Sequence, residues 1–458
     1  MAVWRLPFVL LSLLGSAIAL QERVLESRAP GDGETPLIAA AWYTGWHSTD
    51  FPLSRVSWSK YTHITYAFGI TTPSPELVAL DASDERLLTE FVALARENVG
   101  LGSASNRTTF VNTILNVVRR YNLDGIDFDW EYPNMQGLGC NIVNPDDTSN
   151  FLSFLRELRQ TDRGRDLVLS AAVYVTPFAD ASGSPSTDVS GFAEVLDYIA
   201  VMNYDVRINQ SVGAGSRSPL DDSCAPAGAK WGSAVTSIEA WREAGVPLNK
   251  LVLGVPAHGH SYDVSPSVVL SRSNSSLLVE YPSFNPAARK RGDRWDGEGG
   301  TDVCGATDGP GGVYTYWGLI ETGFLKQDGS VGDGIVKRYD ECSETPFLYN
   351  PESRVYVSYE DARSYAAKGD FIYSTGIAGF AMWEAGGDYN DVLLDSIRHA
   401  SLNGNPGART RSSRESGGTQ AVVPTRNTAT SPSYRNNVPI VWGSLITLIY
   451  TCVFLTLR

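Results

Sequence analysis

Apolar positions follow two periods along this chain, and the change from one to the other divides it into elements. Short apolar runs recur at Leu37–Tyr43, Tyr61–Phe68, Leu167–Tyr174, Tyr198–Tyr204, Leu251–Pro256 and Gly376–Trp383. Their length and their β-branched and aromatic content predict buried strands. Between them apolar residues return at helical steps. Leu87, Leu88, Phe91, Leu94 and Ala95 do so within Ser83–Asn98, and Phe110, Ile114, Val117, Val118 and Tyr121 repeat the pattern. Phe151–Leu158 and Ala234–Glu243 fit the same period. Strands alternating with helices predict parallel α/β architecture, and 458 residues suit a (β/α)8 TIM barrel.

One strand breaks the apolar rule. Leu123–Pro133 reads Leu-Asp-Gly-Ile-Asp-Phe-Asp-Trp-Glu-Tyr-Pro. Successive side chains of a strand point to opposite faces. Asp127, Asp129 and Glu131 therefore share one face, and Ile126, Phe128 and Trp130 share the other. Three stacked carboxylates repel each other and cost desolvation, so stability does not explain them. Their repulsion pushes a proton onto the last member, which makes a general acid at neutral pH. A calcium loop would carry its oxygens on turns with Gly and Asn, not between large aromatics.

Asp124-x-x-Asp127-x-Asp129-x-Glu131 followed by Tyr132-Pro133 resembles the signature of family 18 glycoside hydrolases, the chitinases. The resemblance runs from about residue 37 to 400. It implies hydrolysis of β-1,4-linked N-acetylglucosamine in chitin or chitooligosaccharides by retaining, substrate-assisted catalysis, with no cofactor and no metal, in a monomer. It implies that Glu131 protonates the glycosidic oxygen. Asp129 would hold the acetamido N–H of the sugar and share a proton with Asp127. Met202-Asn203-Tyr204-Asp205 resembles the family's Met-x-Tyr-Asp motif. Tyr204 would donate to the acetyl oxygen, Asp205 would help fix the acetamide, and Met202 would line the substrate. Trp383 resembles the tryptophan that floors the sugar at the cleavage point, with Phe68, Tyr132 and Trp42 completing the wall. Where the family often shows Gly-x-Pro-x-Tyr-Gly-Arg, this chain has Gly254-Val-Pro-Ala-His258-Gly-His260. Neither histidine is assigned a catalytic role. Two other readings stay open: an endo-β-N-acetylglucosaminidase acting on N-glycans, and a chitin-binding, lectin-like protein without turnover.

The strand count stops at seven. Between the helix ending near Asn98 and the next, starting near Asn106, stand only Val-Gly-Leu-Gly-Ser-Ala-Ser. That cannot supply a strand with its loops. The family slot resembles a strand ending in Gly-Gly-Trp, which is missing here. An incomplete gene or splice model, or a defective isoform, would produce this; a real loss leaves an open barrel edge and favours the lectin-like reading. A long insertion, about Ser261 to Ala366, separates the seventh and eighth strand positions. It resembles the α+β insertion that walls the cleft in one chitinase subgroup.

The ends point to export. Arg5, an apolar run from Leu6 to Leu14 and Ala17-Ile-Ala19 read as a signal peptide over residues 1–19. The catalytic barrel would fill 20–402. Residues 403–437 are rich in Ser, Thr, Pro and Gly and are expected to be a disordered linker. Val438 to Leu457 carries no charge. A run of about 20 such residues reads as a GPI signal or a transmembrane tail, placing the protein at a cell surface or wall. Asn106, Asn209 and Asn274 open glycosylation sequons. Cys140, Cys224, Cys304 and Cys342 allow three pairings. Set on the implied barrel, the favoured one is Cys140 with Cys224 and Cys304 with Cys342. A formal charge of -14 argues against a nucleic-acid partner.

Overall fold

The computed structural model describes residues 36–71, 78–80, 103–137, 143–271, 277–301, 305–404 and 452–457. Seven parallel strands stand where the apolar runs and the acidic stretch predicted them. They are β1 (Ile38–Thr44), β2 (His63–Thr71), β4 (Gly125–Asp129), β5 (Val168–Val173), β6 (Tyr198–Met202), β7 (Leu251–Pro256) and β15 (Gly379–Trp383). A short β3 (Val78–Leu80) pairs antiparallel with β2. β1 pairs with both β15 and β2, and the parallel series β4–β5–β6–β7–β15 carries the sheet round to meet it.

Alternation sorts the strand residues into two cores. Ile126, Phe128, Leu169, Ile199, Leu253 and Phe380 face outward into the layer beneath the helices. Ala40, Trp42, Ala172, Ala200, Met202 and Ala381 face inward. So many alanines on the inward face leave room for large side chains at the barrel mouth. The helices are α1 (Ala104–Tyr121), α2 (Asp147–Gln160), α3 (Ser190–Val195), α4 (Ala234–Glu243), α5 (Pro266–Val269), α6 (Tyr316–Glu321), α7 (Ala362–Thr375) and α8 (Val392–Asn403). Local signals set their ends. Ser233 and Thr236 cap α4 reciprocally, Asp361 caps α7, and Gly376 stops α7 at φ 75°. The helix expected at Ser83–Asn98 lies outside the described residues.

The insertion starts earlier than its expected boundary at Ser261. Strands β8 (His258–Asp263), β11 (Val313–Thr315), β12 (Val336–Asp340), β13 (Thr345–Asn350) and β14 (Val355–Ser358) form an antiparallel sheet in the order β11-β8-β14-β13-β12. A separate two-stranded ribbon pairs β9 (Gly300–Thr301) with β10 (Thr307–Asp308). The far boundary also moves, because α7 packs on α8 and returns the chain to β15, as a barrel helix does. Beneath this junction Lys368 pairs with Glu360 at 2.6 Å, both fully buried. Removing one partner of a buried pair strands the other charge. Lys368→Ala is expected to cost about 3–5 kcal/mol in urea unfolding; a loss below about 1 kcal/mol would show that the pair carries little stability.

The disulfide overturns the expected pairing. Cys224 is bonded to Cys342, with Cα atoms 6.3 Å apart. The loop after β6 does not stay on the barrel rim but runs onto the insertion. Leu220 N–H donates to the Ser343 carbonyl at 2.9 Å, and the Ser216 and Thr345 hydroxyls meet at 2.8 Å. The bond therefore joins barrel loop to insertion rather than closing within either. Cys140 and Cys304 lie outside the described residues. In the chain-entropy picture a bond across a sequence separation of 118 contributes about 4–5 kcal/mol.

Among the described residues no third parallel strand follows β2, as the residue count required, yet the edge is not open. β16 (Cys452–Leu457) lies antiparallel between β2 and β4. Cys452 stands opposite Ile70 and Asp129, and Leu457 opposite Ile64. Two bare strand edges face each other there, and an uncharged segment satisfies both rows of backbone groups. These residues belong to the tail expected to anchor the chain; the rest of that tail is not described. Among the described residues no helix is long and apolar enough to cross a membrane.

Candidate active site

The site begins with the register of β4. Phe128 is fully buried and meets Phe151 and Phe154 edge-on at 6.0 and 5.5 Å, and Trp130 meets Phe151 at 5.5 Å. This aromatic lock on the helix side fixes which face the acids take. Asp127 (1% exposed) and Asp129 (7%) project into the barrel, and Glu131 follows at the strand end, partly covered. Asp127 and Asp129 share a face of β4 as predicted, and Glu131, two residues past the strand end, is near enough to act on the Asp129 carboxyl.

Their environments differ. Asp127 accepts from the Trp42 indole N–H at 3.0 Å and from the Ser170 hydroxyl at 2.7 Å. Burial still pushes its carboxyl up to about 6, against those two hydrogen bonds. Asp129 is driven well above the carboxylate range by burial, then by Glu131 and Asp127, and among the described residues its Oδ1 has no hydrogen-bond partner. Glu131 is pushed up to about 7, by burial first and by Asp205 as well, while a hydrogen bond from Tyr132 opposes the shift. The cluster thus keeps protons that isolated carboxyls release near pH 4.

The expected aromatic residues gather around it. Trp383 lies 6.0 Å from Trp42 and stacks with Phe68 at 5.9 Å. Tyr132 lies 4.9 Å from Tyr174. Trp42 is 3% exposed and acts through Asp127 rather than as open wall. Peptide bonds Ala67–Phe68, Glu131–Tyr132 and Trp383–Glu384 are cis, all at this mouth. Tyr204 follows β6, where Met202 is buried. Burial raises the Tyr204 hydroxyl well above its usual range, and the nearby charges of Asp129, Asp205, Glu131 and Asp127 add to the rise.

Several residues escaped sequence reasoning. Trp46 stacks on Phe68 at 5.3 Å and carries the aromatic surface outward. Its place just past the end of β1 was the available signal. Ser170, which steadies Asp127, carried none. Glu384 accepts from the Thr44 hydroxyl and meets His47 Nδ1 at 2.7 Å. His47 in turn stacks on Trp295 at 3.8 Å, which brings the insertion against the end of β1. His258 and His260, given no role, both reach Asp205 Oδ1, at 2.9 and 2.5 Å. Burial alone would raise the Asp205 carboxyl, but the two imidazoles hold it well below its usual range. Of the sequon residues, Asn106 lies in the first turn of α1, Asn209 accepts from Ser211 in a turn, and Asn274 is not described.

A parallel barrel that gathers acids and aromatics at the C-terminal ends of its strands places its candidate site where barrel enzymes place theirs. Residues 39–388 match the family described as Glycosyl hydrolases family 18, and the chain belongs to that family. A chitinase-like effector of Moniliophthora roreri is 43% identical over 408 residues, covering 85% of this chain and 98% of that protein. Chitinase A1 of Niallia circulans is 27% identical, covering 65% of this chain and 39% of its own. Among solved structures, a chitinase from Rhizomucor miehei is similar with a TM-score of 0.67 and 29% identity, over 79% of this chain and 99% of that one.

Proposed function

We propose that the protein is an exported chitinase that cleaves β-1,4-N-acetylglucosaminide bonds with retention, the substrate's own acetamide acting as nucleophile. The observation that carries this reading is the buried acid stack ending in Glu131, a carboxyl that keeps its proton up to about pH 7. Glu131 donates to the leaving oxygen. The acetamido carbonyl closes on the anomeric carbon, Asp129 accepts from the acetamido N–H, and Tyr204 donates to the acetyl oxygen as charge grows there. Water then opens the ring, with Glu131 as base. Export is supported by the leader-like residues 1–19 and by the Cys224–Cys342 bond, which suits an oxidising compartment.

The test is release of fluorophore from a diacetylchitobiose glycoside by the folded secreted chain. No release at micromolar enzyme would reject the reading. A second reading, chitooligosaccharide binding without turnover, is favoured by the substituted third strand and by the name of the Moniliophthora relative. Binding without hydrolysis would select it.

The protonation pattern sets an expected pH profile. Glu131 must be protonated, so kcat/KM falls as pH rises through about 7. Asp127 gains a proton as pH falls through about 6, and the pair then stops accepting from the acetamide. A narrow optimum between these values is the expected result, read from initial rates across pH 4–9. A rate still rising above pH 8 would remove Glu131 as the acid.

A further inference from the structure

The geometry points to a site for one divalent transition-metal ion, formed by Asp205, His258 and His260 beside the acid stack. One ligand atom from each lies within 4.8 Å of the others. The two histidines are alternate residues on β8 and so share a face. Both rings are buried, 5.5 Å apart and edge to face, and both aim Nε2 at the same carboxylate oxygen. Asp205 sits at φ 53°, directly after Tyr204, and its side chain is about a third exposed. The imidazoles are buried and the carboxylate is partly exposed, so what solvent access the cluster has comes from the Asp205 side. That is the layout of a three-ligand site with a free fourth position.

The donor set selects the ion. Two imidazole nitrogens and one carboxylate oxygen suit Zn2+, Co2+, Ni2+ or Cu2+; Mg2+ and Ca2+ prefer oxygen cages. On binding, each ring gives up its Nε2 proton and keeps Nδ1–H. For His258 that nitrogen already faces the Trp383 carbonyl at 3.4 Å, the outer contact that orients a ligating histidine. The present 2.5 and 2.9 Å contacts are hydrogen bonds into the carboxylate, so an ion replaces protons in a cluster already converged. The surrounding charges are Glu131 beside Asp205, Glu384 beside His258, and Arg217 opposing from the side of His260. Arg217 disfavours a hard ion held by charge alone more than one bound through nitrogen lone pairs.

Binding as such does not depend on the chitinase reading; its consequence does. An ion on Asp205 would take that carboxylate from the acetamide, so metal and saccharide would exclude each other. The experiment uses untagged, chelator-stripped protein, equilibrium dialysis with Zn2+, and the visible spectrum of added Co2+. One Zn2+ per chain is expected, unaffected by millimolar Mg2+, with an intense Co2+ band of low coordination number. His258→Gln/His260→Gln should weaken Zn2+ at least about 100-fold, and chitotriose should displace it. Glu131→Gln should bind Zn2+ as wild type does. Equal affinity in the double variant would assign the ion to exposed histidines such as His399 and overturn the site. X-ray absorption at the zinc edge of the wild type decides independently of whether the variant folds. Fewer than two imidazoles around the ion would overturn the proposal. Zn2+ bound by two imidazoles but indifferent to chitotriose would keep the site and remove its link to the sugar.

Discussion

Glu131→Gln is expected to lower chitooligosaccharide hydrolysis at least about 1,000-fold while leaving the saccharide bound. Loss of a general acid alone accounts for about 100- to 10,000-fold. The amide keeps shape and hydrogen bonding but has no proton to give. The same variant has a signature in stability. Glu131 in the fold holds its proton to about pH 7, against an ordinary 4.5. The folded state therefore binds more protons than the unfolded state between those values, and wild-type stability falls as pH rises through that window. Gln does not ionise. It should melt with wild type at pH 4 and above it at pH 7, by an amount equivalent to about 1–3 kcal/mol. Calorimetry at the two pH values, beside the rate assay, checks both halves. A variant that turns over substrate near the wild-type rate sinks the mechanism. One that melts with wild type at both pH values shows that Glu131 ionises freely and is no acid at pH 7.

Truncation after residue 437 is expected to destroy the cooperative fold. β16 forms ladders with both β2 and β4. Each ladder bond contributes only about 1 kcal/mol net. Bared backbone in a closed barrel costs more, and a whole domain is stable by only about 5–15 kcal/mol. The truncated chain should bind a hydrophobic dye and lose its sharp thermal transition. Leu455→Pro removes a ladder donor without shortening the chain and should lower Tm by several degrees. A truncated protein with unchanged melting and unchanged turnover would mean that the seam does not depend on the tail.

Buried parallel strands were legible because both faces are covered, so the run of apolar residues is continuous in β5, β6 and β7. The acid stack was legible for the opposite reason, since nothing but chemistry explains charges on an inward face. The tail strand was not. Its composition fits a membrane span equally well, and what makes Cys452–Leu457 a strand is a vacancy between β2 and β4, far away in sequence. The Cys224–Cys342 bond was illegible because it depends on where a barrel loop and an insertion turn meet. His258 and His260 looked like two isolated substitutions. Only the left-handed turn at Asp205 brings a carboxylate between them.

The position of β16 also orders events in time. The strand that carries Asp127 and Asp129 receives β5 soon after synthesis. Its other neighbour arrives only after the helices, the insertion and the last parallel strand have been made. Contacts of such long sequence separation form slowly. Until that late docking, the acid strand is held on one side only, and Asp127 and Asp129 stand on a strand whose second edge is bare.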